Sequence, residues 1–273
     1  TIFDNNFNEY FFYFNSYNQF IIFYFLSTCF FLIGLIDDKY KINPNIKFSI
    51  FIVFLSILIF LDSNILLDRI FIFNTTISIE NYFFSGFFTI FCFLAFINAF
   101  NFFDGINLQA GLYSIFLILV FLFKNFLILF WLTLILSIVF YLYLNLKNHS
   151  FLGDSGSLLI SFIFSYFFVF GHNNQELFTA DEIFLVMMLP GLDMCRLTIE
   201  RFLKRKSPLF GDRMHIHHLV EKKYNSSIAP IITVVLCCTP FIFYLVFSGS
   251  FVIILLFITL YILYIAHLKK KNI

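Results

Sequence analysis

The feature that most constrains this chain is the recurrence of long apolar runs separated by short polar stretches. The runs cover residues 18–36, 48–61, 82–100, 108–123, 126–144, 156–170, 183–199, 228–247 and 251–267. A spanning helix needs about 20 mostly apolar residues. Inside a bilayer only helices and closed barrels satisfy every backbone N–H and C=O. Nine such runs predict an all-α fold, a polytopic transmembrane helical bundle of about nine spanning helices, forming one membrane domain over residues 1–273. Composition agrees: 61% of residues are hydrophobic and 12% charged, against about 25% charged in a soluble domain. Residues 62–81 alternate apolar and polar (Ile70, Ile72, Ile77, Ile79) and predict a small hairpin outside the bilayer. Residues 1–17 read as a polar loop. The five cysteines lie in apolar runs without metal-ligand spacing, so neither a disulfide framework nor a zinc site is indicated. The 47 phenylalanines, with many Ile, Asn and Lys, read as nucleotide-composition bias. The chain begins at Thr1 and shows no basic signal-peptide start, and further sequence is expected before it.

Helix parity adds a second constraint. If the loop after run one lies on one side, so do the loops after runs three, five and seven and the C-terminus. That side collects Lys39, Lys41, Lys47, Lys147, Arg196, Arg201, Lys204, Arg205, Lys206, Arg213, Lys222, Lys223 and Lys269 to Lys271, while the other receives Arg69 and Lys124. The positive-inside rule makes the first side cytoplasmic. The polar motifs of the chain all fall on that same side.

The most costly of these motifs is Phe151-Leu152-Gly153-Asp154-Ser155-Gly156-Ser157, between two spanning runs. An ionisable residue near membrane depth is expensive and usually functional. The glycines admit close backbone approach, and the serines offer hydroxyls to phosphate oxygens. Asp154 is suited to hold Mg²⁺, which binds through one or two carboxylates plus substrate phosphates. A capped Gly/Ser helix start is the structural alternative. Asp37-Asp38 close the first run, where the helix dipole disfavours carboxylates, so a positive group or a proton should compensate. They read as a metal-associated pair or a general base, or as a solvated turn. Asn98, Asn101, Asp104 and Asn107 recur every three residues and would share one helical stripe if the helix continues. Such a stripe suits a nucleotide base or a metal-bound phosphate; helix–helix hydrogen bonding is the alternative. Residues 201–218 carry arginines and His215-Ile216-His217-His218, a pattern suited to clamping a pyrophosphate. Asp193, Arg196 and Glu200 share a helical face and read as a structural ion network. Together these parts suit transfer of a phosphorylated group from a soluble nucleotide donor to a lipid phosphate, with Mg²⁺ bridging the diphosphate.

These stretches resemble the polyprenyl-phosphate N-acetylhexosamine-1-phosphate transferase family (glycosyltransferase family 4). Gly34-Leu35-Ile36-Asp37-Asp38 with Pro44 and Lys47, Asn98 to Asn107, Phe151 to Ser157, and Ser207-Pro208, Asp212-Arg213 and His215 to His218 follow the family's order. The resemblance implies Asp154 as principal Mg²⁺ ligand (Mn²⁺ being the other candidate ion), with Asn101 near the metal and diphosphate. It implies that Asp37 and Asp38 position or deprotonate the lipid phosphate. Asp104, Asn107 and Phe151 would contact the uridine, Asn98 would line the substrate site, and Arg213, His215, His217 and His218 would hold the diphosphate. It further implies UDP-GlcNAc and undecaprenyl phosphate as substrates and UMP as product, in the first membrane step of a cell-envelope polysaccharide such as lipopolysaccharide O-antigen. The expected location is the bacterial inner membrane with a cytoplasmic-face site. The expected partners are the bilayer and a second copy in a homodimer, without nucleic acid. His-Ile-His-His resembles the GlcNAc-type branch, and the phospho-MurNAc-pentapeptide translocase branch is the alternative. Asn107 stands where most bacterial members carry Asp, Leu108-Gln109 replaces a usual Gly-Leu, and residues 145–151 are slightly short. Family members usually carry two more helices before the Asp37 helix, so the chain is expected to lack N-terminal helices. A transporter would place its polar residues near mid-membrane on broken helices, and a non-catalytic scaffold is the remaining alternative.

Overall fold

In the computed structural model, residue 14 and residues 16–175, 177–205, 207 and 213–270 are described. The bundle is α-helical: α1 Tyr17–Tyr40, α2 Pro44–Leu61, α3 Tyr82–Phe103, α4 Gln109–Phe123, α5 Ile128–Leu146, α6 Gly153–Gln175, α7 Ala180–Val186, α8 Met188–Leu203, α9 Ile216–Lys223, α10 Ala229–Phe247 and α11 Ser250–Lys270. A short 3₁₀ turn at Ser63–Ile65 and two strands, β1 Arg69–Ile72 and β2 Thr75–Ser78, lie between α2 and α3. Seven described helices (α1, α2, α3, α5, α6, α10 and α11) are long and apolar enough to cross a membrane. Of the other two apolar runs, the fourth is a single helix as expected, the 15-residue α4. The seventh divides at Met187 into the seven-residue α7 and the 16-residue α8. Pro190 falls in the first turn of α8, where its missing N–H costs no helical bond.

The expected hairpin is present. Arg69 pairs with Ser78 and Ile72 with Thr75, leaving Phe73-Asn74 as a two-residue turn. Both turn residues have positive φ, 47° and 60°, the geometry that matches strand twist in a tight hairpin.

Helix α6 is the centre of the bundle. Of its most apolar window 83% is buried, against 17–44% in the other six spanning helices. It packs along α1 and α3. Many of the phenylalanines serve this core: Phe30 stacks on Phe162 at 4.6 Å, and Phe121 on Trp131 at 4.3 Å, which in turn stacks on Phe164. Ser157, Ser161 and Ser165 form a small buried stripe four residues apart on α6. Small residues let membrane helices approach closely. At Gly34 of α1 the backbones approach so closely that an added Cβ would lie 2.4 Å from Ser155 Cα. That contact joins the C-terminal end of α1 to the N-terminal end of α6. The same face of the bundle receives the start of α2, the end of α3 and α9. The opposite face carries the hairpin, with Lys124 paired to Glu182 at 2.8 Å and Gln19 bonded to Asp62 at 2.8 Å.

Candidate active site

The two adjacent acids at the end of α1 are compensated in two different ways. Asp38 lies against the N-terminus of α6, where unpaired N–H groups and the helix dipole favour an anion. Its Oδ1 accepts from the Asp154 N–H at 2.8 Å and its Oδ2 from the Ser155 N–H at 3.1 Å. Gly153 makes this possible: its φ is +64°, and a Cβ there would sit 2.7 Å from Asp38 Oδ2. Asp37 is buried; its Oδ1 accepts from the Ile42 N–H at 2.6 Å and its Oδ2 from Lys47 Nζ at 2.6 Å. The positive compensation expected at this helix end is thus a helix terminus for one acid and a lysine for the other.

Lys47 also reaches Asp154, with Nζ 3.2 Å from Oδ1. Asn101 Nδ2 donates to the same Asp154 oxygen at 2.5 Å and contacts Ser157 Oγ at 2.7 Å. Asp37, Lys47, Asp154, Asn101 and Ser157 therefore form one connected polar centre, built from α1, α2, α3 and α6. Among the described residues no three His, Cys, Asp or Glu side chains converge as a metal cage. A cation held here would take Asp154 and the Asn101 amide oxygen as its protein oxygens, with substrate and water completing its shell. The donor set fits Mg²⁺ in that form.

The asparagine stripe is broken, contrary to the expectation of a continuing helix. Helix α3 ends at Phe103 and Asp104 is its C-cap. Asn101 reaches the polar centre, but Asn98 donates back to Leu94 O in its own helix at 2.7 Å. Asn107 sits in the turn that follows and donates to Asn148 Oδ1 at 2.7 Å. Asn145 closes that turn, accepting from the Leu108 N–H at 2.6 Å while its amide donates to Ser150 O at 2.7 Å. These bonds carry the 104–108 turn to the loop holding Phe151, which is exposed. Asp104 is half-buried, and burial, with the charges of Asp154 and Asp38, holds its carboxyl up near a pKa of about 7. Among the described residues it makes no salt bridge.

The histidine segment runs into the short helix α9, with His215 as its N-cap. His217 is buried and seats on the turn after α3: a Cβ on Gly105 would fall 2.0 Å from its Nε2. Its ring lies parallel to His215, 5.5 Å between centroids, and 4.3 Å from His218. Burial, with His218 and His215 beside it, pushes the His217 pKa down to about 3. Among the described residues neither of its ring nitrogens has a hydrogen-bond partner. His215 is held by Asp193 of α8, with Nδ1 2.9 Å from Oδ2, and the Ile216 N–H donates to the same oxygen at 3.1 Å. Asp193 Oδ1 accepts from Arg196 at 2.8 Å and from Tyr261 Oη at 2.9 Å. Arg196 also bonds Glu200, which Lys269 of α11 caps at 2.7 Å. The face of Asp193, Arg196 and Glu200 is thus the ion network expected, and it anchors the histidines. Arg213 is exposed at the start of this segment, while residues 208–212, including Pro208 and Asp212, lie outside the described residues.

Comparison with known proteins draws on the same region. Residues 20–172, more than half of the chain, match the profile of glycosyl transferase family 4. The chain belongs to glycosyl transferase family 4. Its curated relatives include undecaprenyl-phosphate alpha-N-acetylglucosaminyl 1-phosphate transferases. The protein of that name from Escherichia coli O157:H7 is 30% identical over 201 residues, covering 69% of this chain and 54% of the relative. The one from Salmonella typhi is 35% identical over 149 residues, covering 50% of this chain and 41% of the relative. The chain spans about half the length of the curated relatives it matches. Within this family 4 chain, two participants in the site carry no role of their own in the sequence reading. Lys47 belongs to the acid-pair segment by resemblance, ten residues from Asp37, and the Pro44 turn brings it back to that acid. Asp193 reads as part of an ion network with Arg196 and Glu200, and its bond to His215 has no signature in the sequence.

Proposed function

We propose that this chain carries the centre of an enzyme that transfers a HexNAc-1-phosphate from a UDP-sugar, UDP-GlcNAc before others, to undecaprenyl phosphate. The observation that carries the reading is the convergence of Asp154, Asn101, Lys47 and Asp37 at one end of the bundle, beside Asp104 and the histidine helix. The names of relatives at 30–35% identity, undecaprenyl-phosphate alpha-N-acetylglucosaminyl 1-phosphate transferases, support the transferred group and the lipid acceptor. The excess of Lys and Arg on the motif face supports a cytoplasmic site in the bacterial plasma membrane, where a soluble nucleotide sugar can enter.

In this reading a phosphate oxygen of the lipid attacks the sugar-bearing phosphorus of the donor. The bond from that phosphorus to the bridging oxygen breaks, and UMP leaves with the bridging oxygen. Mg²⁺ bound by Asp154 and Asn101 would neutralise charge on the diphosphate. Asp38 fixes the start of α6 and so the position of Asp154. Asp104, which makes no salt bridge among the described residues, would take a proton from the lipid phosphate as its carboxylate. His215, His217, His218 and Arg213 supply donors for the diphosphate, and Asn107 and Phe151 flank the nucleotide end. The peptidoglycan-type donor is the rival within the family.

The test is UMP release in membranes containing the protein, supplied with Mg²⁺, undecaprenyl phosphate and UDP-GlcNAc, with Asp154→Asn alongside. Release that requires all three additions and Asp154 is expected. Release only with UDP-MurNAc-pentapeptide would move the chain to the translocase branch. No release with any donor, in folded protein, would leave a scaffold or transport role.

A further inference from the structure

The polar centre holds a cation of its own. Lys47 Nζ lies 2.6 Å from Asp37 Oδ2 and 3.2 Å from Asp154 Oδ1. The lysine side chain is only 14% exposed, so this is a built position and not a surface encounter. One of the two Asp154 carboxylate oxygens, Oδ1, is shared between the Lys47 ammonium at 3.2 Å and the Asn101 amide at 2.5 Å. Asn101 presents an N–H to that oxygen, whereas a metal ligand must present its carbonyl oxygen. Both arrangements fit a centre closed around an ammonium.

We propose that Lys47 is a tethered counter-cation that competes with the divalent ion for Asp154 and so sets the metal affinity of the centre. The inference rests on the reading of Asp154 as a metal ligand. Its physical basis is charge balance. Asp37 and Asp154 without a cation would be two carboxylates converging in a half-buried cleft, and like charges there repel. Lys47 offsets that repulsion when no metal is bound. A divalent ion entering within bonding distance of Asp154 would meet the ammonium a few ångströms away, in surroundings of lower dielectric than water, where repulsion is appreciable. Entry of the metal therefore requires Lys47 to draw back towards Asp37 and Asn101 to turn its amide. The consequence is a weak site in the empty enzyme, filled in step with a substrate diphosphate that brings additional negative charge.

The experiment measures Mn²⁺ binding to detergent-solubilised protein without nucleotide or lipid, by the loss of the free-ion electron paramagnetic resonance signal. Lys47→Gln keeps an N–H donor for Asp37 and removes the charge; Lys47→Met removes both. Lys47→Gln is expected to bind Mn²⁺ at least tenfold more tightly than the parent. Its melting temperature, lowered in chelator, should recover on adding Mn²⁺, whereas the parent's should move little. Equal or weaker Mn²⁺ binding by a folded Lys47→Gln protein would overturn the proposal. Asp154→Asn separates the two levels of the argument. If it abolishes Mn²⁺ binding while Lys47→Gln leaves affinity unchanged, Asp154 remains a ligand and the competition by Lys47 is wrong. If Asp154→Asn binds Mn²⁺ as the parent does, the metal reading of Asp154 itself is wrong and the proposal falls with it.

Discussion

A single methyl group placed at Gly34 should disable the site without touching a polar residue. A Cβ there would lie 2.4 Å from Ser155 Cα and 2.5 Å from both Asp154 O and Ser155 N. All three are backbone atoms of the first turn of α6, so no side chain can swing aside. Ordinary contact begins near 3.4 Å, and α1 and α6 must therefore part by about 1 Å. Overpacking of this kind costs about 1–3 kcal/mol. The displacement also acts on the Asp38 cap. Its bonds of 2.8 and 3.1 Å to the Asp154 and Ser155 amides would stretch towards 4 Å, well beyond the roughly 3.2 Å limit of a useful N–H···O bond. A hydrogen bond to a charged group contributes about 1.5–3 kcal/mol. Asp38 is exposed and water can take over part of what its two bonds supply, so the expected loss is the overpacking cost plus about one such bond, about 2.5–6 kcal/mol, read as a large fall in melting temperature in detergent. Asp154 moves with its turn, and a misplacement of about 1 Å at a reacting centre can cost on the order of 100-fold in rate. UMP release by Gly34→Ala should fall by that order even where the protein still folds. Gly191→Ala is the matched control, since among the described residues nothing lies within 4 Å of the added Cβ; it should leave both readouts unchanged. A Gly34→Ala protein with near-parental melting and more than a third of parental activity would refute the helix-contact argument.

Two further outcomes follow from single positions. His217 is held near a pKa of about 3 in the fold, against roughly 6.5 in the unfolded chain. Between those values the unfolded chain binds the extra proton, so stability falls as pH drops below about 6.5, by about 2 kcal/mol at pH 5. His217→Asn should flatten that part of a melting-temperature profile, and an unchanged slope would show that other groups cause it. Leu108 adopts φ 69° at the cap of α4, a left-handed conformation that costs a bulky residue roughly 1–2 kcal/mol. Leu108→Gly should raise the melting temperature by a few degrees, and a fall would mean that the leucine side chain contributes more than its backbone costs.

The helices were legible because bilayer physics leaves few alternatives, yet one departure is instructive. Run seven carried the same apolar signal as the others, but hydropathy does not report where a chain must break to seat polar residues. Helix α7 ends at Val186, and α8, beginning after Met187, brings Asp193 to the histidines; the proline at 190 marked the neighbourhood and not the break. The site was legible as residue types and not as partnerships. Asp37 and Asp38 are neighbours in sequence with equivalent chemistry, and the sequence could say only that something positive must face them. The fold divides them: one meets Lys47 across the Pro44 turn, the other meets two backbone amides that carry no sequence signature. A pattern of three-residue spacing likewise promised one face for Asn98, Asn101, Asp104 and Asn107, but Gly105 and the turn to Leu108 end the helix there. Asp104 and Asn107 are thereby freed from the bundle wall. That break is what allows a membrane-buried helix to deliver Asn101 to Asp154 while the next residues turn outward towards the loop of Phe151. The polar centre is thus made at helix ends, where backbone groups are unpaired and chains change direction, and the apolar spans hold those ends within hydrogen-bonding distance of one another.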